Sequence, residues 1–293
     1  MQKKRIQSAF VNGVTASLSK MVDLTMLYRY YTMSFNSFYG KAFRENSSGN
    51  NNEQGVYIGT KVMPKRIIYF DANYDYFYFP WDIGKFHTGY SWLSKVTYEP
   101  NKIWLISLQH KGKKKNRKIL KKEKSNVEVS RGVALAYMFK WQYLPIKSLK
   151  LKSELHCNSY TQVRRTTWGY GLLQRMDYKI GKLRLINQIV WFSTKRETNK
   201  ITTSEPKMLY DGTSFRAHRH KGVSYCFTLC YKPIAYMRLE CKYSILWLTG
   251  KPKNMEEKTI NENKENENKI GSGNEELKGN FKNEIRVQIV FSF

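Results

Sequence analysis

Long stretches of this chain change character at every second residue, and that period limits what it can fold into. The segment Ile285-Arg286-Val287-Gln288-Ile289-Val290-Phe291-Ser292-Phe293 carries a large apolar residue at every odd position and mostly polar residues between them. Successive side chains of a strand point to opposite faces, so the pattern builds a two-faced strand, whereas a helix would scatter the same residues around its surface. The alternation recurs at Leu149, Leu151, Leu155 and Cys157 against Lys150, Lys152, Glu154 and His156. It returns at Ala235, Met237, Leu239, Cys241, Tyr243 and Ile245 against Arg238, Glu240, Lys242 and Ser244. Val223 to Tyr231, Ile68 to Tyr78 and Val22 to Tyr30 behave alike.

About thirteen such segments can be counted, many of 10 to 14 residues, where soluble strands usually run to about five or six. A tilted strand needs about 9 to 11 residues to cross the hydrocarbon of a bilayer. Nowhere does the chain hold the 18 or more successive apolar residues of a membrane helix, and its mean hydropathy is -0.61. Membrane barrels escape such measures because their strands average apolar and polar residues together. The connections point the same way. Tight turns are expected at Met63-Pro64-Lys65, Pro100-Asn101, Leu144-Pro145-Ile146, Lys179-Ile180-Gly181-Lys182 and Lys232-Pro233-Ile234, each with Pro or Gly. Broad polar loops are expected between them, at about 34–53, 80–88, 111–128, 196–220 and 250–280. Short turns at one end and long loops at the other are the asymmetry of transmembrane barrels. The expected fold is therefore all-β, an antiparallel up-and-down transmembrane β-barrel in which residues 1–293 form one segment of about 13 strands.

Aromatics gather beside the loops: Tyr28, Tyr30 and Tyr31; Tyr78, Phe79 and Trp81; Trp191 and Phe192; and Trp141 and Tyr143. In a barrel these are candidates for the two girdles at the lipid headgroups. The polar face carries Arg29, Asp71, Asp75, Lys150, Lys152, Arg175 and Arg184, and further along Arg238, Glu240, Lys242 and Arg286. These charges are expected to face the lumen. On that assignment Leu239→Arg should harm assembly and Glu240→Gln should be tolerated.

The 51 Lys and Arg residues against 23 Asp and Glu give a net charge of +28. The densest run, around Lys113, Lys114, Lys115, Arg117 and Lys118, is expected to form a loop able to hold anions such as nucleic acid or lipopolysaccharide. A soluble basic β-sheet protein binding nucleic acid through that loop is the alternative reading. The tract 251–280 is rich in Lys, Glu and Asn and of low complexity. No GxSxG, GxGxxG, Walker loop or HExxH occurs, so no enzyme is expected, and no cofactor. His218-Arg219-His220 offers two imidazoles without the carboxylates or cysteines that would complete a metal site. Cys157, Cys226, Cys230 and Cys241 have no CxxC spacing and are expected as small strand residues. Met1-Gln2-Lys3-Lys4-Arg5 is charged like the start of an export signal but no apolar core follows it. Asn46-Ser47-Ser48 is a formal glycosylation sequon.

Several stretches resemble one family in the same order along the chain. They are Leu27-Tyr28-Arg29-Tyr30-Tyr31, Ser37-Phe38-Tyr39-Gly40-Lys41-Ala42-Phe43, Asn52-Glu53-Gln54-Gly55-Val56-Tyr57-Ile58-Gly59 and Asp75-Tyr76-Phe77-Tyr78-Phe79-Pro80-Trp81. Ile270-Gly271-Ser272-Gly273, leading to the terminal Phe293, is similar too. The family is that of bacterial outer-membrane proteins with helix-hairpin-helix domains ahead of a C-terminal β-barrel. The resemblance implies a place in the outer membrane, with the lipid bilayer and lipopolysaccharide as surroundings. It also implies that Phe291 and Phe293 serve as the signal read by the barrel-insertion machinery. The family's helix-hairpin-helix part has no counterpart in this sequence, so a role with DNA would belong to that missing part. Because single-chain barrels have even strand numbers, about thirteen strands imply a portion of a larger barrel, completed by a longer chain or by a partner chain. The expected function is a non-enzymatic channel, an uptake or secretion component, or a scaffold.

Overall fold

The computed structural model describes residues 7–36, 43–45, 51–80, 87–120, 127–162, 165–195, 197–211, 214–249, 269–270, 277–278 and 280–291. One antiparallel sheet of thirteen strands dominates it, in the order β1-β2-β3-β4-β5-β6-β7-β8-β9-β10-β13-β14-β17. Its first five strands are β1 (Ala9–Ser19), β2 (Val22–Tyr31), β3 (Glu53–Lys65), β4 (Ile68–Phe79) and β5 (His87–Tyr98). Next come β6 (Trp104–Leu120), β7 (Val127–Ile146), β8 (Leu149–Gln162), β9 (Arg165–Ile180) and β10 (Leu183–Thr194). Two short strands, β11 (Ile201–Ser204) and β12 (Phe215–His218), pair with each other before the sheet resumes with β13 (Lys221–Ile234) and β14 (Met237–Leu248). A second minor pair, β15 (Lys269–Ile270) and β16 (Leu277–Lys278), precedes β17 (Phe281–Phe291). Every strand of the main sheet lies beside its sequence neighbour within it, the order of an up-and-down meander. Among the described residues β1 and β17 each have a single neighbour in this order.

The chain divides into two compact units. One comprises 1–100, 107–137 and 159–166, the other 101–106, 138–158 and 167–293, so β6, β7, β8 and the start of β9 are shared between them.

In the first unit the outward side of β4 shows Phe70, Tyr74 and Tyr76, each more than 40% exposed, while Asp75, Phe77 and Phe79 on the other side are buried. Aromatics on the exposed side form a row across four strands. Tyr74 stacks on Tyr90 at 6.0 Å, Tyr90 on Trp92 at 5.7 Å, Trp92 meets His110 edge-on at 5.9 Å, and His110 stacks on Tyr137 at 4.7 Å.

In the second unit, β14 and β17 pair in the register Leu239↔Ile289, Cys241↔Val287 and Tyr243↔Ile285 on one face, with Glu240↔Gln288 and Lys242↔Arg286 on the other. The apolar face is the open one: Ile285, Val287, Ile289 and Phe291 are 67, 72, 57 and 54% exposed. Glu240 and Lys242 are 2 and 4% exposed. A protein surrounded by water does the reverse, because burying charge costs and burying hydrocarbon stabilises. A few polar side chains do stand on the apolar side. Two pairs of them are joined: Gln174 accepts from Ser153 at 2.5 Å, and Asn187 accepts from Tyr225 at 2.8 Å.

Several expected boundaries move, for local reasons. The described part of the tract 111–128 is strand and not loop. Residues up to Leu120 continue β6, and β7 begins at Val127. The turns expected at Pro64 and Pro233 come after Lys65 and Ile234, and the prolines lie within register shifts between Val62 and Lys65 and between Tyr231 and Ile234. Proline has no N–H for the ladder, so it is accommodated in a bulge at the strand's end, and the turn follows it. Leu144-Pro145-Ile146 likewise ends β7 and the turn follows, while Ala235 lies in a turn and not in a strand. At Gly181 the expected turn is present, with φ at 54°, a conformation glycine adopts without steric cost. The aromatic clusters split between faces, because neighbours in a strand point opposite ways. Trp191 is 44% exposed but Phe192 is buried, and Tyr31 and Phe79 are also buried. Trp81 lies outside the described residues.

Candidate functional site

In the second unit the polar face is not open. Residues 197–211 and 214–218, expected as part of a long polar loop, fold back onto it as a short helical turn (Glu197–Asn199) and the paired strands β11 and β12. Two glycines of β9 make room. A Cβ at Gly169 would lie 2.6 Å from the Asn199 carbonyl, and one at Gly171 would lie 2.9 Å from Ile201 Cδ1. Ile201 then fills a small apolar cluster with Leu173, Val190, Phe192 and Leu248.

Beyond that cluster the contact is electrostatic. Glu205 receives Arg216 at 3.0 Å and Lys242 at 3.2 Å. Asp211 lies 3.9 Å from Lys242 and 3.2 Å from Arg286. Glu240 accepts from the Leu209 backbone N–H at 2.7 Å and from Arg238 Nε at 2.9 Å. Arg175 donates to the Ser204 carbonyl at 2.7 Å and to Gln188 at 2.7 Å. Each strand charge of β14 therefore meets a partner supplied by the folded-back segment or by its own strand. This is the condition under which buried charge is tolerated.

His218, on β12 and so outside the thirteen strands, is also buried. Its Nε2 lies 2.8 Å from Thr203 Oγ1 and its ring packs 4.7 Å from Phe192. Burial, with Arg216 and His156 adding repulsion, lowers its pKa to about 3, so the imidazole is neutral at ordinary pH. Among the described residues no group of three His, Cys, Asp or Glu is placed to hold a metal.

The first unit has a smaller version of the same arrangement. Arg29, fully buried, donates to Glu53 at 2.6 Å and to Asp75 at 2.7 Å. The short piece 43–45 lies over this trio. Glu45 N–H donates to Glu53 at 2.8 Å, the Phe43 ring sits 4.8 Å from the Arg29 guanidinium, and Tyr31 donates its hydroxyl to the Phe43 carbonyl at 3.1 Å.

Of the residues singled out by sequence, Arg238, Glu240, Lys242 and Arg286 come together on one face around residues 205–211. Glu240 is more than a tolerant lumen charge, since two donors converge on it. The lysine tract lies on β6 and not on a loop. Strand geometry sends Lys113 to Glu45 on one face and Lys114 over the Tyr90 ring, at 5.5 Å, on the other. Lys115, Arg117 and Lys118 belong to the backbone of β6, and their side chains lie outside the description. Phe291 ends β17 on the exposed apolar face; Phe293 lies outside the described residues. Sequence reasoning missed Glu205, Asp211 and Arg216. The β-branched run Ile201-Thr202-Thr203 inside a polar stretch is a local signal of strand, but it says nothing of what that strand covers.

No protein-family model matches the chain, and no curated protein matches it. Among solved structures, the ferric enterobactin receptor PfeA of Pseudomonas aeruginosa is similar, with a TM-score of 0.51 and 8% identity over 83% of this chain and 42% of the receptor. The RagAB peptide importer (TM-score 0.45, 9% identity, 81% of this chain and 40% of that one) also aligns. So does a Pseudomonas aeruginosa FadL homologue (TM-score 0.41, 8% identity, 95% and 76%). The chain spans less than half the length of the receptor it matches. That likeness shows the fold, an antiparallel up-and-down sheet of the outer-membrane barrel kind.

Proposed function

We propose that this chain is a non-enzymatic portion of a bacterial outer-membrane β-barrel that takes part in moving solutes across that membrane. The observation that carries the reading is the inverted distribution of polarity. Long strands expose hydrocarbon on one face, as at Val287 and Ile289, and bury paired charge on the other, as at Lys242 and Glu240. A lipid-facing outside and a polar inside account for both. Residues 197–218 then act as a segment lying within the passage, held by ion pairs that hydrated solutes or a conformational step can exchange. Further strands, from a longer chain or a partner chain, pair with β1 and β17, since an open strand edge in lipid leaves backbone groups without partners.

The finer reading, a barrel linked to helix-hairpin-helix domains with any DNA role residing there, is supported by the ordered sequence stretches from Leu27 to Phe293. Insertion by the barrel-assembly machinery through Phe291 and Phe293, and contact of the basic β6 end with lipopolysaccharide, are supported by the same resemblance and by the charge of that strand. The rival soluble nucleic-acid binder is disfavoured by the division of Lys113 and Lys114 between two faces.

An immunoblot of soluble and outer-membrane fractions, loaded with and without boiling, tests the reading. The expected band is in the outer-membrane fraction and shifts on heating. A heat-insensitive band confined to the soluble fraction would overturn it.

A further inference from the structure

At the tight-turn end of the second unit, a cleft of about 500 Å³ opens on the polar face between the turns that follow β7, β9 and β13. Its chemistry is one-sided. The lining includes Lys147, Lys150, Lys179 and Lys232, together with Lys182, Arg184 and Arg238, against a single carboxylate, Asp177. That carboxylate is already held by Arg184, whose Nε donates to it at 2.8 Å. Arg238 is turned to Glu240 and Lys182 to the Pro233 carbonyl. The remaining four ammonium groups have no ion-pair or hydrogen-bond partner among the described residues. Lys179 also stands directly opposite Arg184 across the ladder, a like-charge pairing that costs stability; Asp177 offsets the Arg184 side, and Lys179 keeps its charge unpaired among the described residues.

We infer that this cleft is a binding site for a phosphoanion carrying two or more negative charges. The four exposed lysines lining the cleft supply more positive charge than one carboxylate can neutralise. Lysine offers compact, rotatable donors suited to the several oxygens of a phosphoryl group. The volume lies in the range of small-ligand sites, large enough for a diphosphate or a phosphorylated small molecule. The inference goes beyond the transport reading, because the cleft is built from residues of one unit and binds whether or not the barrel conducts.

The test uses full-length protein folded in detergent and in vesicles, with inorganic pyrophosphate as the probe in titration calorimetry. The triple variant Lys147→Gln, Lys179→Gln, Lys232→Gln should weaken pyrophosphate binding at least about tenfold, and raising salt should weaken binding to the unmodified protein. A control with Lys20→Gln, Lys61→Gln and Lys65→Gln, three exposed lysines of the other unit, should bind as the unmodified protein does. Heat-shifted mobility of both variants verifies folding independently of binding. Equal pyrophosphate affinity in phosphatidylcholine and phosphatidylglycerol vesicles would support a free phosphoanion as the occupant. Displacement in phosphatidylglycerol vesicles would support the same site with a lipid headgroup phosphate as its source. No pyrophosphate binding, or loss equal in the cleft and control variants, would overturn the inference, and neither result would bear on whether the protein resides in the outer membrane.

Discussion

Replacing Val287 with arginine separates a lipid-facing surface from a water-facing one, because the two environments give it opposite consequences. Val287 is 72% exposed near the middle of β17, between Ile285 and Ile289 on the same face. If that face met water, Val287→Arg would add a solvated charge at an open site, and the change would stay within about 0.5 kcal/mol. If it meets hydrocarbon near the midplane, the guanidinium must be moved from water into lipid, at about 2 to 4 kcal/mol. At 1.4 kcal/mol per decade, this is roughly a 30- to 700-fold fall in the folded-to-unfolded ratio. Gln288→Arg is the internal comparison. It introduces the same side chain one residue away, on the face where Gln288 stands opposite Glu240, and should cost no more than about 1 kcal/mol. Both are measured by urea titration of folding into lipid vesicles, read by tryptophan fluorescence and by heat-shifted mobility. Equal stability of the two variants, or a loss at Val287 below about 0.5 kcal/mol, would refute the reasoning.

Three further outcomes follow from the polar face. Gly55→Leu should cost about 3 to 5 kcal/mol in the same titration, because a Cβ there would lie 2.6 Å from Arg29 Cζ and displace the guanidinium from Glu53 and Asp75, stranding buried carboxylates. Glu240→Gln should cost about 1 to 3 kcal/mol by weakening a charged hydrogen-bond acceptor, seen as faster proteolysis within 205–211; an unchanged cleavage rate would show that Glu240 does not hold this segment. His218 has a folded pKa near 3, below the unfolded value of about 6.5, so the folded state binds fewer protons. Its contribution is complete above about pH 6.5 and is lost as pH falls toward 3. Between pH 7.5 and 5.5, acidification should speed proteolysis of residues 197–218 in the native protein, and His218→Gln should flatten that dependence.

The strand faces were legible because one rule governs them. Alternation from Ile285 to Phe291 is visible without any knowledge of partners, and β14 and β17 pair as that alternation requires. Two kinds of feature were not legible. A run of lysines has no apolar phase, so Lys111 to Lys118 looks like a solvated loop, although the backbone continues as strand and sends Lys113 and Lys114 to opposite faces. The folded-back segment depends on pairs far apart in sequence. Lys242 finds Glu205 at a separation of 37 residues and Arg286 finds Asp211 at 75. Local composition carries no record of such pairs, and a charged loop reads the same whether its partner is water or a strand. The cleft at the tight-turn end was hidden similarly, since Lys147, Lys179 and Lys232 belong to separate hairpins that only the sheet order brings together.

The most direct test of the lipid-facing assignment is the accessibility of single spin labels along β17, in protein folded into vesicles with Cys157, Cys226, Cys230 and Cys241 replaced by alanine. Labels at 285, 287 and 289 should collide preferentially with oxygen, which concentrates in hydrocarbon. Labels at 284, 286 and 288 should be shielded from it, giving a period of two. A profile without that period, or one in which positions 285, 287 and 289 collide preferentially with a water-soluble nickel chelate, would contradict the account.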